Sequence, residues 1–271
     1  MRTALLLTLL LTLPAAAQDP SADPLGEEER VSAELVSEQE GLKVGLNWVG
    51  VTLRIVPDWH VYWLNPGDAG VPTTVEVKGL PKGVTHRIRW PAPKRLAHDG
   101  LVDFVYEDEV TILIPLRVTK EVALGSKIAL DVKVTWLVCK DVCVIGAARL
   151  KRTLKVVSGP GKVRPEDKKA IALSRARLAT PAPKDLEVAW SGAKLNLRVP
   201  GAQRLAWFPA LPTESSPDLS LVEAKGERLT LTYPARVKSA KRVTGLLALT
   251  RKGRTTFHWI QARVQKVGKG S

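Results

Sequence analysis

Val134-Thr135-Trp136-Leu137-Val138-Cys139-Lys140-Asp141-Val142-Cys143-Val144 carries the only two cysteines in a chain of 271 residues. β-Branched residues alternate into Cys139 and apolar residues resume after Cys143. The pattern reads as strand, three-residue turn and strand, a hairpin with a thiol on either side of its bend. In an extended strand residues four apart lie about 13 Å from each other, whereas a disulfide holds its Cα atoms roughly 4.4 to 6.8 Å apart. The turn is therefore what makes the pair bondable.

As a staple the pair is poorly placed. Chain entropy gives a loop of about five residues roughly 2 kcal/mol, against about 4.7 kcal/mol for a loop of a hundred. A ring this small suits opening and closing, because both thiols stay adjacent when reduced and the exchange is intramolecular. Redox cycling is the favoured reading. A structural disulfide in a secreted binding module and metal ligation stand beside it.

The first seventeen residues set the compartment. Arg2 supplies a positive start, Leu5 to Leu13 a short apolar core, and Ala15-Ala16-Ala17 a small-residue cleavage site before Gln18. A cleaved secretory signal peptide is expected, and with it a periplasmic location where disulfide chemistry is permitted. No other stretch approaches the ~18 apolar residues of a membrane span. The roughly 254 residues that remain exceed what one small core needs and point to two domains.

Charge divides unevenly. Gln18 to Leu150 holds 15 Lys+Arg against 19 Asp+Glu, while Lys151 to Ser271 holds 25 against 8. A basic half suggests nucleic acid first, but a secreted chain seldom meets any, and these cations are scattered through strand-like segments. No nucleic acid partner is expected. An anionic membrane surface is the specific alternative to a plain solvated one.

Residues 18–40 read as a flexible acidic segment. Strand signals follow at Leu42 to Val49, Val51 to Val56, Trp59 to Leu64, Thr74 to Val77, Thr85 to Trp90, Val110 to Val118, Lys127 to Val138 and Val144 to Val157. In Trp59 to Leu64, period two puts Trp59, Val61 and Trp63 on one face, expected to be core, and His60, Tyr62 and Leu64 on the other. Asn65-Pro66-Gly67-Asp68 is turn chemistry. His98 to Glu109 reads as a loop whose aromatics, Phe104 and Tyr106, either shield a reactive disulfide or pack on the core. Pro165 at a first helical turn with Glu166 and Asp167 predicts a short helix to about Leu178. A second β series runs from Leu186 to Val264, including Leu219 to Val222, with no cysteine. The fold class expected is mainly β: two immunoglobulin-like antiparallel β-sandwich domains over 41–158 and 184–267, joined by a linker, 159–183, with one short helix.

Four motifs in order, Trp59-His60-Val61-Tyr62-Trp63-Leu64-Asn65-Pro66-Gly67-Asp68-Ala69-Gly70, Trp90-Pro91-Ala92-Pro93, Val105-Tyr106-Glu107-Asp108-Glu109-Val110 and Trp136-Leu137-Val138-Cys139-Lys140-Asp141-Val142-Cys143, resemble the periplasmic N-terminal region of the thiol:disulfide interchange protein DsbD family, in its ScsB-like branch. The resemblance implies an immunoglobulin-like domain that takes electrons from a membrane electron transporter through a thioredoxin-like domain and passes them to oxidised periplasmic proteins. It implies that Cys139 and Cys143 are the redox pair of a protein-disulfide reductase component, that Cys143 forms the mixed disulfide with partners, and that Cys139 resolves it. Aromatics near His60 and Tyr62, and a cap loop over roughly His98 to Phe104, are implied around the pair. Neither a transmembrane segment nor a thioredoxin-like domain follows within the 271 residues, so either the electron source is a separate protein or the chain serves a different function.

His60, Tyr62, Asp68, Phe104, Tyr106 and Trp136 are the expected surroundings of the pair. Lys140 would lower a neighbouring thiol's pKa and Asp141 would raise it. Asp68 or Asp103 would suppress reactivity until a partner docks, and His60 is either a base or the filling of a polar pocket. No cofactor and no metal is assigned. The zinc or copper(I) alternative would use Cys139, Cys143, His60 and His98, which lack clustered ligand spacing.

Overall fold

The computed structural model describes residues 30–159, 161–210, 216–234 and 242–263. The expected signal peptide, 1–17, and the first part of the expected flexible segment, 18–29, lie outside them. Nineteen strands and one helix are described. In the first half these are β1 (Val31–Ser37), β2 (Gly41–Leu42), β3 (Gly45–Ile55), β4 (His60–Gly67), β5 (Thr74–Lys78), β6 (Val84–His86), β7 (Lys94–His98), β8 (Leu101–Glu107), β9 (Glu109–Val118), β10 (Lys127–Cys139) and β11 (Cys143–Val156). Helix α1 (Pro165–Ala176) follows, then β12 (Thr180–Pro181), β13 (Glu187–Ser191), β14 (Lys194–Arg198), β15 (Arg204–Pro209), β16 (Glu223–Lys225), β17 (Arg228–Thr232), β18 (Arg242–Arg251) and β19 (Arg254–Arg263). The protein is mainly β, as expected, with an immunoglobulin-like antiparallel arrangement.

One sheet of the first sandwich runs β1-β3-β9-β6, and the facing sheet runs β2-β11-β10-β4-β8-β7, with β5 also pairing β10. The second sandwich stacks β12-β19-β18-β15-β16 against β13-β14-β17. Alternation in β10 explains the first core. Ile128, Leu130, Val132, Val134, Trp136 and Val138 are all buried, while Lys127, Ala129 and Lys133 between them are exposed. Each such buried apolar side chain stabilises the fold by about 1.5–3 kcal/mol. Trp63 and Val61 are core as expected, whereas Trp59 is only partly buried and lies under the Arg30 guanidinium at 4.8 Å.

Several expectations are corrected. Residues 31–37 of the segment read as flexible form β1, paired with β3 from Val31↔Ile55 to Ser37↔Val49. Its Val31, Leu35 and Val36 are buried, and their apolar burial outweighs the acidic residues around them. The apparent break at Gly50 is no break. β3 runs through it, and a Cβ there would overlap the side chain of Thr111 and the carbonyl of Ile112, so glycine permits close approach to β9. His98 to Glu109 is not a loop but the turn and second strand of a β7–β8 hairpin, with Asp99 at φ 49° and Gly100 at φ 80°. Two positive-φ residues are the requirement of a tight type I′ turn, which Asp-Gly meets. The expected strand Leu219 to Val222 is a 3₁₀ turn over Leu219–Leu221, capped by the Asp218 carboxylate accepting from Ser220 N–H at 3.0 Å.

The short helix expected in the linker is present, and it packs on the first sandwich. Ile171 packs on Val36 and Leu113. The buried Asp167 carboxylate accepts from Ser37 N–H at 3.1 Å and from Arg152 Nη1 at 3.2 Å, and Ser174 Oγ accepts from Thr111 N–H at 3.1 Å. α1 thus serves as a lid on the β1-β3-β9 sheet.

The second sandwich is also joined to the first. Phe208 of β15 meets Phe104 edge-on at 5.1 Å and Trp63 at 6.3 Å, and Asn65 Nδ2 donates to Pro209 O at 2.9 Å. Removing that ring leaves a hole in a shared aromatic cluster. Phe208→Ala is expected to cost about 3–5 kcal/mol in urea unfolding followed by tryptophan fluorescence, with both sandwiches losing stability together. Loss confined to one of two separate transitions would show that the cluster does not couple them.

Candidate functional site

Cys139 ends β10, Cys143 begins β11, and the two face each other directly in the register. They form a disulfide with Cα atoms 4.2 Å apart, and the chain contains no other cysteine. Lys140, Asp141 and Val142 make the bend, closed by Lys140 N–H donating to Val142 O at 3.1 Å. Side chains alternate across a strand. Trp136 and Val138 therefore point into the sandwich, and Cys139 points to the outer face of the same sheet.

That outer face is built by register. Cys139 stands opposite His60 in β4, His60 opposite Glu107 in β8, and Tyr62 opposite Val105. Cys139, Tyr62 and Val105 form a small cluster, with Leu96 and Leu137 packed against it. Cys139 is 2% exposed as a result, while Cys143, beyond the edge of the cluster, is exposed. The two sulfurs of one bond thus have different access to solvent.

His60 and Tyr62 meet edge-on at 5.3 Å, with Nε2 and Oη 3.4 Å apart. Burial pushes the His60 imidazole below its ordinary 6.5, against the pull of the Asp103 and Glu107 carboxylates, so it is neutral at pH 7. Burial, and then Asp103, push the Tyr62 phenol up, so it keeps its proton. Lys140 does not face the sulfurs as a free cation. Its Nζ lies 3.3 Å from Asp58 Oδ2.

Asp68 and Asp103 act together as a latch. Asp68 Oδ2 accepts from Val102 N–H and Asp103 Oδ1 from Ala69 N–H, each at 2.9 Å. Asp103 is fully buried, and His98 Nε2 is 3.0 Å from its Oδ2. Asn65-Pro66-Gly67, expected as a turn, continues β4 through a register shift to Gly67↔Asp103, and these bonds hold the Asp68–Gly70 turn that follows it on β8. Gly70 lies so close to the Tyr62 ring that a Cβ would overlap it. The carboxylates locate the turn, the turn backs Tyr62, and Tyr62 backs Cys139.

Of the expected surroundings, His60 and Tyr62 are brought to the pair and Asp68 reaches it through the turn. Phe104, Tyr106 and Trp136 are on the other face. Phe104 joins Trp63 and Phe208, Tyr106 Oη donates to Pro91 O at 2.6 Å, and Trp136 lies in the core. The cause is the pleat: one residue of offset along a strand turns a side chain from one face to the other. The tight Asp99-Gly100 turn also leaves no long cap loop over His98 to Phe104. Val105, Leu96, Leu137 and Glu107 were not anticipated. The Asp-Gly turn between alternating residues was the available signal.

Both sulfurs are engaged in the disulfide, and His98 is bonded to Asp103. Among the described residues no group of three or more His, Cys, Asp or Glu is placed to hold a metal ion.

Comparison with known proteins bears on this geometry. Residues 31–155 match the family model for the thiol:disulfide interchange protein DsbD, N-terminal. The N-terminal periplasmic domain of ScsB from Proteus mirabilis superposes with a TM-score of 0.63 at 14% identity, covering 89% of this chain and 96% of that one. At that identity the likeness is one of fold. The major pilin subunit BcpA of Bacillus cereus, in its D312A form, gives a TM-score of 0.29 at 11% identity over 88% of this chain and 67% of that one. No curated protein matches the sequence.

The two histidines of the outer face should titrate apart. The Asp103 hydrogen bond lifts His98 above 6.5, so its contribution to stability is complete below 6.5 and fades as pH rises through its folded value. His60 has the opposite sign: its contribution is present above 6.5 and is lost as pH falls through its depressed value. Proton NMR titration should find His60 below 6.5 and His98 above it, with Asp103→Asn bringing His98 down. A single shared midpoint would show that the burial and pairing described here do not govern them.

Proposed function

We propose that the first sandwich, a DsbD-type N-terminal domain by its match over residues 31–155, is a periplasmic thiol-disulfide exchange module that relays electrons through Cys139 and Cys143. Its reductant is a thioredoxin-like domain or a membrane electron transporter, and its acceptors are oxidised periplasmic proteins. The single observation that carries the reading is the unequal access of the two sulfurs. An incoming thiolate can approach exposed Cys143, whereas Cys139 is covered.

The steps balance. A thiolate of the reduced partner attacks Cys143 Sγ, the Cys139–Cys143 bond breaks, and Cys139 leaves as a thiolate and takes up a proton. The partner's second thiolate then attacks its own sulfur in the mixed disulfide and releases Cys143. The partner ends as a disulfide and this domain as a dithiol. Reduction of an acceptor reverses the roles: Cys143 thiolate opens the acceptor's disulfide, and Cys139 thiolate then attacks Cys143 Sγ to free the acceptor's thiol. Beside Cys139, the neutral His60 imidazole and the Tyr62 hydroxyl offer hydrogen-bonding groups without a fixed charge, which suits a sulfur that alternates between neutral and anionic forms.

Cys139→Ser should accumulate mixed disulfides through Cys143 with thioredoxin-like proteins on non-reducing gels, and Cys143→Ser should accumulate none. Equal trapping by the two variants would remove the assignment of the attacked sulfur, and no trapping by either would remove the relay.

The basic second half supports an additional role in location. Its excess of 25 cations over 8 anions would rest on anionic headgroups and keep the redox domain beside a membrane reductant, each cation near the surface contributing about 1 kcal/mol. Co-sedimentation with phosphatidylserine-containing vesicles should be strong at low salt and abolished at high salt. Absence of binding at low salt would end this idea.

A further inference from the structure

β11 has a bare edge that begins at the reactive disulfide. It pairs β10 along its whole length, but on its other side, among the described residues, only Lys155 and Val156 are paired, with β2. The direction of its free groups follows from its lower end. Val156 N–H donates inward to Ser126 O, and Val157 N–H donates outward to Leu42 O, each at 2.8 Å. The register with β10 is unbroken up to Cys139↔Cys143. Alternation in an antiparallel ladder then turns the N–H and C=O groups of Cys143, Ile145, Ala147, Arg149 and Lys151 outward. The 4.2 Å separation of the cysteine Cα atoms agrees, being that of a pair that does not share ladder bonds.

The two ends of this edge differ. Arg149, Lys151 and Arg152 follow the protective habit of edge strands, which carry charge to repel stray pairing. Arg152 also closes the seam to the opposite sheet, donating to Leu35 O at 2.9 Å. Cys143-Val144-Ile145-Gly146-Ala147-Ala148 carries no charge, and Ile145 is 72% exposed. Here the seam between β11 and Val31–Ala33 of β1 opens into a cavity of about 590 Å³ floored by Trp136. Trp136 is 5% exposed and its Nε1 has no partner. The indole lies against Gly146, where any Cβ would overlap it. A buried donor without an acceptor is costly, and here it borders an open groove.

We propose that this edge is where the redox partner docks: an extended segment of the partner protein adds as a strand to Cys143–Arg149, bonds to the outward groups of Ile145 and Ala147, and seats an apolar residue over Trp136. The inference rests on the relay reading, because continuity with Cys143 is what selects this occupant. Strand addition supplies affinity through main-chain bonds and leaves side-chain identity loosely specified. It would also deliver the partner's sulfur beside the exposed Cys143 and away from covered Cys139.

Ala147→Pro tests it, since proline deletes one outward N–H and leaves the β10 ladder untouched, while Ala147→Ser keeps the N–H. With a reduced thioredoxin-like domain, Ala147→Pro should react about tenfold more slowly, the effect of losing one well-made hydrogen bond, and Ala147→Ser at the parent rate. Reduction by dithiothreitol should be unchanged in all three. Equal rates for Ala147→Pro and parent with the protein partner would overturn the docking edge and leave the relay standing, whereas a parent that the partner cannot reduce would overturn the relay itself. Should Ala147→Pro fail to fold, hydrogen exchange on the Cys139→Ser mixed disulfide gives the second readout. New protection at Ile145 and Ala147 supports the proposal. Unchanged exchange there, or concentration-dependent protection in the protein alone that marks an edge-to-edge dimer, overturns it.

Discussion

Everything about the site depends on the pleat of β10. Because successive side chains leave a strand on opposite faces, the same thirteen residues give Trp136 and Val138 to the core and Cys139 to the outside. The register with β4 then decides what surrounds the sulfur. A shift by one residue would exchange His60 and Tyr62 for Val61 and Trp63, and the neutral polar setting of Cys139 for a wholly apolar one.

The β10-β4-β8 sheet therefore has two jobs on its two faces. Outward, Tyr62, Val105, Leu96 and Leu137 cover one sulfur and leave the other open. Inward, Trp63 and Phe104 carry the second sandwich through Phe208. The strands that position the cysteine pair are the same strands on which the second sandwich rests. Its packing helps fix their positions without supplying a group to the chemistry.

The turn of Asp68-Ala69-Gly70 at the end of β4 shows how polar groups serve the same end. Two aspartates that look like candidate acids are consumed in holding backbone N–H groups, and His98 accompanies one of them. A buried carboxylate needs such partners, because desolvation without them is expensive. Their effect on the cluster around Cys139 passes through Tyr62, and Asp103 alone of the two adds a charge felt by His60.

By itself the sequence determined the local features: the hairpin with a cysteine at either side of its bend, the helix begun by Pro165 and the mainly β character, all set by short-range alternation and turn chemistry. It also carried four motifs that resemble the DsbD N-terminal region, whose family model matches residues 31–155. It did not disclose β1, whose acidic neighbours masked three core residues, nor that Phe104, Tyr106 and Trp136 turn away from the disulfide. Those depend on which strands pair and in what register, and a strand's own residues do not state their partner. The resemblance implied unequal roles for Cys139 and Cys143, but only the tertiary structure decided their unequal exposure, because the cover over one sulfur comes from β4, β7 and β8, residues brought beside it by long-range pairing and invisible to any reading of neighbours along the chain.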